Sequence, residues 1–212
     1  MTATKRLFDI LFSLLLLALL WPVLLGIAVI ILIRDGRPVI FRSERMRTVD
    51  QPFFLWKFRT MRNDAADSGV TGRDKAGRIT RTGAYLRRKR LDELPQLWNI
   101  LRGDISFVGP RPPLRRYVEL FPDLYEDVLQ SRPGVTGLAT VVYHQHEEIL
   151  LADCETAQET DRVYRARCVP QKAKLDLIYQ QHRSLCLDWN IMLKTVSKPT
   201  PLKRKRRVKL PK

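Results

Sequence analysis

The sequence predicts a mostly helical α+β protein with a membrane-embedded N-terminal segment, a compact domain and a small β element. Three observations predict this class. Residues 10–33 carry no charged side chain, and a helix that crosses a bilayer needs about 20 apolar residues. Only two short segments, 39–41 and 53–59, have the apolar and aromatic runs typical of strands. Apolar residues recur at helical spacing in three later segments: 91–101, 114–130 and 172–196.

The chain of 212 residues is strongly basic, with 38 Lys and Arg against 22 Asp and Glu and a net charge of +16. Such a charge indicates an anionic partner: a nucleic acid, an anionic membrane surface or a phosphorylated substrate. The cysteines, Cys154, Cys168 and Cys186, are widely spaced and form no CxxC pair. This pattern argues against a disulfide framework and indicates a reducing compartment.

The apolar N-terminal segment is consistent with two membrane topologies. A signal peptide is disfavoured, because the segment exceeds the usual apolar region and no A-x-A cleavage site follows it. Cations flank the segment on both sides: Lys5, Arg6, Arg34 and Arg37. The positive-inside rule therefore assigns no orientation. Pro22 lies near the midpoint and is expected to break the helix into two arms of about 18 Å each, so that spanning and re-entrant arrangements both remain open.

The remaining segments alternate loops with short helices. Residues 63–83 are expected to form a mobile loop, and 84–91 a basic helix. Asp92 is predicted to cap a helix that runs through Leu101 and ends at Gly103. A helical pair interrupted at Pro122 is predicted at 114–130; a core-facing position is favoured, with a position on the membrane interface as the alternative. Further predictions are a largely helical segment at 172–196 and a disordered basic tail at 198–212.

The adjacent carboxylates Asp92 and Glu93 are the first candidates for chemistry. Taken alone, the pair is better explained as a helix cap and a partner of the helix dipole. The same position also suits phosphate chemistry, because a helix N-terminus binds phosphate oxygens. The cations at 87–90 would keep Asp92 ionised and nucleophilic. Two carboxylates among phosphates also suit Mg²⁺.

Arg111 lies between Pro110 and Pro112, so its backbone is restricted on both sides. A structural proline turn is a common use of such a motif. A rigid loop can equally hold an arginine ready for bidentate contacts with phosphate or nucleotide. The segment RPGVTG at 132–137 has the same character.

The two histidines His144 and His146 are predicted to lie on one side of a strand, followed by Glu147 and Glu148. A zinc site needs further ligands and only Cys154 lies near, so solvated loop residues are the favoured interpretation. The sequence has no GxGxxG after a strand and no GxxxxGK[ST], which leaves dinucleotide-binding and P-loop functions without support.

Several segments together resemble the monotopic bacterial phosphoglycosyl transferases, the bacterial sugar transferase family. The string LDELPQLWNILRGDISFVGPRP at 91–112 is the most specific of them. The others follow in the family's order: KRLFDI at 5–10, FRSER at 41–45, KFRTM at 57–61, RPGVTG at 132–137 and LDWNIMLKT at 187–195.

The resemblance implies a two-step transfer of a sugar phosphate. Asp92 would attack the β-phosphorus of a UDP-sugar and release UMP, and polyprenyl (undecaprenyl) phosphate would then take the phosphosugar from the aspartate. Glu93 would assist, with Mg²⁺ held by both carboxylates. The substrate-binding residues implied by the matched motifs are Arg87, Pro110, Arg111, Pro112, Lys57, Arg59 and Arg132.

The resemblance also implies an organisation and a location. Residues 1–33 would form a re-entrant membrane helix, 34–197 a cytosolic catalytic domain with interfacial amphipathic helices, and 198–212 a tail attracted to anionic membrane lipids. The protein would be monotopic, on the cytoplasmic face of the bacterial inner membrane, and would initiate polysaccharide or glycoconjugate assembly. Residues 139–167 follow no family pattern, so the resemblance does not identify the transferred sugar. A homodimer is possible.

A membrane-tethered nucleic-acid-binding protein is the alternative function, motivated by the net charge and the basic run at 203–207. Membrane attraction explains the tail equally well, because each cation near an anionic leaflet contributes about 1 kcal/mol. Aromatic residues that could stack on bases are not interleaved with the cations. We therefore expect no nucleic-acid partner. An inactive scaffold is disfavoured because the acid pair is intact.

Overall fold

The computed structural model describes residues 1–62 and 77–197. The predictions of a mobile loop and a disordered tail concern mainly residues 63–76 and 198–212, which lie outside the described residues. The helices are α1 (Ala3–Arg34), α2 (Arg81–Arg88), α3 (Gln96–Arg102), α4 (Arg115–Leu120), α5 (Pro122–Val128), α6 (Leu138–Ala152), α7 (Ala157–Val163), α8 (Val169–His182) and α9 (Leu185–Val196). A 3-10 turn (Leu91–Glu93) precedes α3, and a π-helical turn (Tyr164–Cys168) joins α7 to α8.

The strands form two separate small sheets: β1 (Ile40–Met46) with β2 (Pro52–Phe58), and β3 (Ser106–Val108) with β4 (Gly134–Thr136). The first pair is an antiparallel hairpin, which confirms both predicted strands. The second pair is parallel and was not predicted, because three-residue strands leave no periodic signal. The mostly helical α+β class is confirmed.

α1 is a single helix of 32 residues that continues through Pro22 instead of ending there. The expected break of this segment into two helical arms is therefore not observed, because one helix spans both. Pro22 removes one backbone N–H donor, and the residues on both sides of it stay within the helix boundaries. α1 is the one helix in the described residues that is long and apolar enough to cross a membrane, and only 11% of its most apolar window is buried. A core helix of a soluble protein would be mostly buried.

The N-terminal end of α1 is attached to the rest of the domain by polar contacts. Arg6 donates hydrogen bonds to the carbonyl oxygens of Ile100 and Leu101, at 2.6 and 2.7 Å, where the last carbonyls of α3 need partners. Asp9 is fully buried and accepts a hydrogen bond from the Ser106 hydroxyl at 3.1 Å. Lys5 forms an ion pair with Asp188 of α9.

The C-terminal end of α1 contacts the same domain. Arg59, just after β2, donates to the carbonyl oxygens of Asp35 and Gly36. The Thr80 hydroxyl lies 3.2 Å from the Asp35 carboxylate, and Ile31 is fully buried against the β2–α2 region. Both ends of the apolar helix are thus anchored on one folded unit.

The predicted helical pair at 114–130 is confirmed as α4 and α5, separated at Pro122. Its apolar residues pack against α8 in the largest core cluster, which supports the core-facing interpretation. The cluster comprises Met46, Tyr117, Val118, Tyr125, Val128, Leu129, Val169 and Ala173. The helical prediction for 172–196 is also confirmed, with a break between α8 and α9 at Arg183 and Ser184.

Two local predictions are wrong. Asp92 does not cap α3: the helix begins at Gln96 after Pro95, and Asp92 lies in the preceding 3-10 turn. Pro95 occupies the N-cap position of α3, where its missing N–H costs nothing because the first N–H groups of a helix have no intrahelical partner. His144 and His146 lie on α6 and not on a strand. Residues two apart on a helix point to nearly opposite sides, and the described residues contain no cluster of three or more metal-ligating side chains.

Candidate active site

The acid pair lies on a tight turn between α2 and α3. Arg90 begins the turn with φ of 55° and ψ of 21°, a left-handed conformation that costs a non-glycine residue about 1 kcal/mol or more. The 3-10 turn then places Asp92 in the interior, where it is 8% exposed. Local backbone strain of this kind is concentrated at functional sites.

Glu93 is held by two cations from distant parts of the chain. Lys57 Nζ, on β2, lies 2.9 Å from Glu93 Oε1, and Arg111 Nη2 lies 3.4 Å from the same oxygen. Burial raises the pKa of Glu93, but Lys57 and Arg111 outweigh it and hold the pKa at about 2. Glu93 is therefore ionised at neutral pH and anchors both cations.

Asp92 has the opposite electrostatic balance. Burial, followed by the negative charge of Glu93, raises the pKa of Asp92, while Lys57 and Arg87 only partly offset this. The cations were expected to keep the aspartate ionised; they act in that direction, but burial dominates. A carboxylate with a raised pKa is more basic and hence a better nucleophile when deprotonated. The two neighbouring acids are thus electrostatically distinct.

Asn99 of α3 fixes β2 against the acid pair, and sequence reasoning missed it. Its side chain is 1% exposed. Asn99 Oδ1 accepts from the Trp56 amide at 2.9 Å, and Nδ2 donates to the Phe54 carbonyl at 2.8 Å. Because Trp56 directly precedes Lys57, these bonds set the position from which Lys57 reaches Glu93. One sequence signal could have indicated its role: an amide side chain within an apolar helix needs hydrogen-bond partners, because burial of an unpaired polar group is costly.

Arg111 extends from a loop that the β3–β4 pair holds in place. The Gly109 amide donates to the Thr136 carbonyl at 2.9 Å, and the Gly134 amide donates to the Pro110 carbonyl at 2.8 Å. A side chain at Gly109 would lie 2.2 Å from the Arg132 carbonyl oxygen, so only glycine permits this approach of the two backbones. Pro110 is fully buried, whereas the Arg111 side chain is 43% exposed. The loop is rigid and its arginine is accessible.

Arg87 reaches the site from α2. Gly83, one turn earlier, packs directly on Thr60: a β-carbon there would lie 2.1 Å from the Thr60 carbonyl oxygen. Arg87 Nε donates to the Thr60 hydroxyl at 2.8 Å, which orients the guanidinium. The positive charge of Arg87 lowers the pKa of Asp92 against the effect of burial.

The predicted site residues therefore fall into two groups. Lys57, Arg87 and Arg111 converge on Asp92 and Glu93. The contacts of Arg59 and Arg132 are with other parts of the chain: Arg59 binds the carbonyls that follow α1, and Arg132 lies near Arg6 and Gly103. Pro110 and Pro112 are both buried and shape the Arg111 loop.

The donor set at the turn suits a divalent cation. Asp92 and Glu93 offer adjacent carboxylates, and Mg²⁺ is commonly bound by one or two carboxylates together with substrate phosphates. Glu93 already pairs with Lys57 and Arg111, whereas Asp92 forms no ion pair within residues 1–62 and 77–197. The acid pair thus offers the carboxylate oxygens that Mg²⁺ prefers.

Comparison with known proteins gives a consistent result. A family model described as "Bacterial sugar transferase" matches residues 1–200. The "Exopolysaccharide production protein PSS" of Rhizobium leguminosarum bv. phaseoli is 38% identical over 201 residues, which cover 91% of this chain and 92% of the relative.

Two further relatives carry activities in their names. The "UDP-glucose:undecaprenyl-phosphate glucose-1-phosphate transferase" of Caulobacter vibrioides is 37% identical over 198 residues, 91% of this chain and 68% of that protein. The "UDP-N-acetylgalactosamine-undecaprenyl-phosphate N-acetylgalactosaminephosphotransferase" of Aeromonas hydrophila is 33% identical over 198 residues, 91% of this chain but 42% of that longer protein. The match extends over nearly the whole chain, including the acid pair and the arginine loop, and the chain belongs to the bacterial sugar transferase family.

Proposed function

We propose that this protein transfers a sugar-1-phosphate from a UDP-sugar to undecaprenyl phosphate and releases UMP, by way of a phosphorylated Asp92. The observation that carries the proposal is the buried Asp92 on a strained turn, with cations on both sides of the acid pair. Membership of the family and the activities named for two relatives support the same class of reaction. The product would start the assembly of a bacterial polysaccharide or glycoconjugate.

In the first step, a carboxylate oxygen of Asp92 attacks the β-phosphorus of the UDP-sugar. The bond from that phosphorus to the bridging oxygen breaks, and UMP leaves with the electron pair. Arg87 and Lys57 are placed to balance negative charge on the transferring group. Glu93, with a pKa of about 2, carries no proton to donate. Its role is to position Lys57 and Arg111.

In the second step, a phosphate oxygen of undecaprenyl phosphate attacks the phosphorus held by Asp92. The bond between phosphorus and the Asp92 oxygen breaks, which restores the carboxylate and forms undecaprenyl diphospho-sugar. Two substrates of very different polarity thus react in turn at one residue, Asp92, which is the nucleophile in the first step and the leaving group in the second. Such a reaction has to occur where water meets the bilayer.

Mg²⁺ would be held by Asp92 and Glu93, where it would supply positive charge for the diphosphate of the donor. Removal of divalent cations with EDTA is expected to abolish transfer, and added Mg²⁺ to restore it. Full activity in EDTA would contradict this assignment.

A re-entrant, monotopic arrangement of α1 on the cytoplasmic face of the inner membrane follows as part of the proposal. Arg6 and Arg59 bind the two ends of the same helix to one domain, so a domain on one side of the membrane keeps both ends on that side. Between these anchors α1 exposes large apolar side chains: Leu14, Leu15, Leu19, Trp21, Val23, Leu25, Val29 and Ile30.

Cysteine labelling tests this topology. In a Cys186→Ser background, which removes the exposed native thiol, single cysteines at Thr2 and at Arg37 should react with a membrane-impermeant maleimide only from the cytoplasmic side. Labelling of the two positions from opposite sides would indicate a spanning helix and contradict the proposal.

The function itself is tested without the acceptor lipid. The protein is incubated with a panel of UDP-sugars and Mg²⁺, and its intact mass is measured together with UMP release. One phosphosugar should add per protein, with an equal amount of UMP, and undecaprenyl phosphate should then remove it. Turnover with the acceptor but no adduct without it would contradict the covalent route, and the sugar that gives the adduct identifies the donor.

Replacement of Lys57 by Met should shift the pH dependence of adduct formation. The Lys57 cation lowers the pKa of Asp92 and of Glu93, so its loss raises both pKa values. Since Asp92 must be ionised to attack, the acidic limb of the rate profile moves to higher pH, and the rate at neutral pH falls about 10- to 100-fold. The exposed Lys174, replaced in the same way, is the control. An unchanged or lower-pH limb in Lys57→Met would contradict the argument.

A further inference from the structure

A cleft of about 220 Å³ lies between the first half of α6 and the end of α9, and Arg90 forms part of its wall. Arg90 is two residues before Asp92, so the cleft adjoins the turn that carries the acid pair. His144, Lys194 and Thr195 contribute further polar side chains. Of these four residues, only Arg90 was named in advance for the site, as one of the cations at 87–90 expected to act on Asp92.

Arg90 and Lys194 give the cleft positive charge, and the charge of Arg90 also acts on Glu93 and helps to lower its pKa. Neither Arg90 nor Lys194 forms an ion pair with any residue in the described part of the chain. His144 Nε2 lies 3.5 Å from Glu148 Oε1, one turn further along α6. Two such cations within one concave surface favour an anion, and Arg and Lys bind phosphate through charge-assisted hydrogen bonds.

The end of α9 beside Lys194 is strongly apolar. Leu193 is 62% exposed and Val196 is 82% exposed. At the other end of the helix, the ring of Trp189 packs edge-on against Phe8 of α1, with centroids 5.6 Å apart. α9 therefore lies alongside the apolar helix, and its exposed side chains suit hydrocarbon.

We propose that this cleft binds the lipid acceptor, a polyprenyl phosphate. Its phosphate lies between Arg90 and Lys194, and its hydrocarbon chain leaves along Leu193 and Val196. The inference rests on the proposed function, because it identifies where the second substrate of that reaction binds. It assigns the two anionic substrates to different cations: the donor to the Lys57–Arg111 side of the acid pair, and the acceptor to the α9 side.

Replacement of Lys194 by Gln tests the phosphate contact. We expect the KM for undecaprenyl phosphate to rise about 10-fold, as loss of a charge-assisted hydrogen bond predicts. The KM for UDP-sugar and the rate of adduct formation without acceptor should not change, and Lys194→Arg should restore most of the affinity. Arg183→Gln, which removes an exposed cation just before α9, is the control for general attraction to the membrane and should leave both KM values unchanged.

Replacement of Leu193 by Ser tests the path of the hydrocarbon chain. The KM should rise for the long-chain acceptor and not for a short, water-soluble polyprenyl phosphate. An unchanged acceptor KM in Lys194→Gln would overturn the inference, and a raised KM for UDP-sugar would assign the cleft to the donor instead. Absence of UMP release from the unmodified protein would contradict the proposed function itself, so the two failures are distinguishable.

Discussion

Replacement of Asp92 by Asn is expected to abolish both the phosphosugar adduct and steady-state transfer. The amide is nearly the same size as the carboxylate but cannot form the acyl phosphate. We expect kcat/KM to fall at least about 10⁴-fold, which corresponds to about 5.4 kcal/mol of lost transition-state stabilisation. Loss of the adduct is measured as the intact mass after incubation with UDP-sugar. Loss of transfer is measured as UMP release with both substrates present.

The fold should not suffer from this change. The raised pKa of Asp92 means that the folded state disfavours its ionised form, so the neutral amide leaves the melting temperature equal or higher at neutral pH. Glu93→Gln is the matched comparison. It should keep a detectable adduct but react more slowly, because Lys57 and Arg111 lose their common anchor. Adduct formation by Asp92→Asn, or equal defects in the two variants, would contradict the assignment of Asp92 as nucleophile.

Replacement of Gly109 by Ala has the second largest expected effect. The new β-carbon would lie 2.2 Å from the Arg132 carbonyl oxygen and 3.1 Å from the Gly134 amide nitrogen, and both are backbone atoms. The β3–β4 pair must separate, which moves the Arg111 loop. A displacement of about 1 Å at a positioned charged group can lower the rate about 100-fold, and the overlap should also destabilise the fold by several kcal/mol.

Melting temperature and kcat/KM together measure this effect. Gly26→Ala is the control, because nothing lies within 4 Å of the new carbon and alanine favours a helix over glycine by about 1 kcal/mol. The control should leave activity unchanged. If Gly109→Ala were as stable and as active as Gly26→Ala, the close backbone contact would not hold the Arg111 loop.

The site could be predicted only in part from the sequence. Asp92, Glu93 and Arg111 stood out because adjacent acids and an arginine between prolines are local patterns. The matched motifs added Lys57 and Arg87. Lys57 and Arg111 both pair with Glu93, although they lie 36 and 18 positions from it in the chain. No local sequence pattern indicates these two pairs.

Other positions were misjudged or missed for the same reason. Asn99 was hidden in an apolar helix, although its amide fixes β2. The cap role given to Asp92 placed Pro95 inside the first turn of the helix, whereas α3 begins only after Pro95. The histidines of α6 were assigned to a strand because a short segment of mixed polarity does not distinguish the two-residue period of a strand from the 3.6-residue period of a helix.

The sequence by itself determined the composition-driven properties of this protein: a long apolar helix that favours a membrane, a basic surface that favours anions, and an acid pair followed by a rigid arginine loop. These depend on side chains close together in the chain, where period and local chemistry suffice. Only the tertiary structure decided that both ends of α1 are anchored on one domain. It alone decided that the pKa of Asp92 is raised while that of Glu93 is lowered, because burial and cations from β2 and the Arg111 loop act through space and not along the chain.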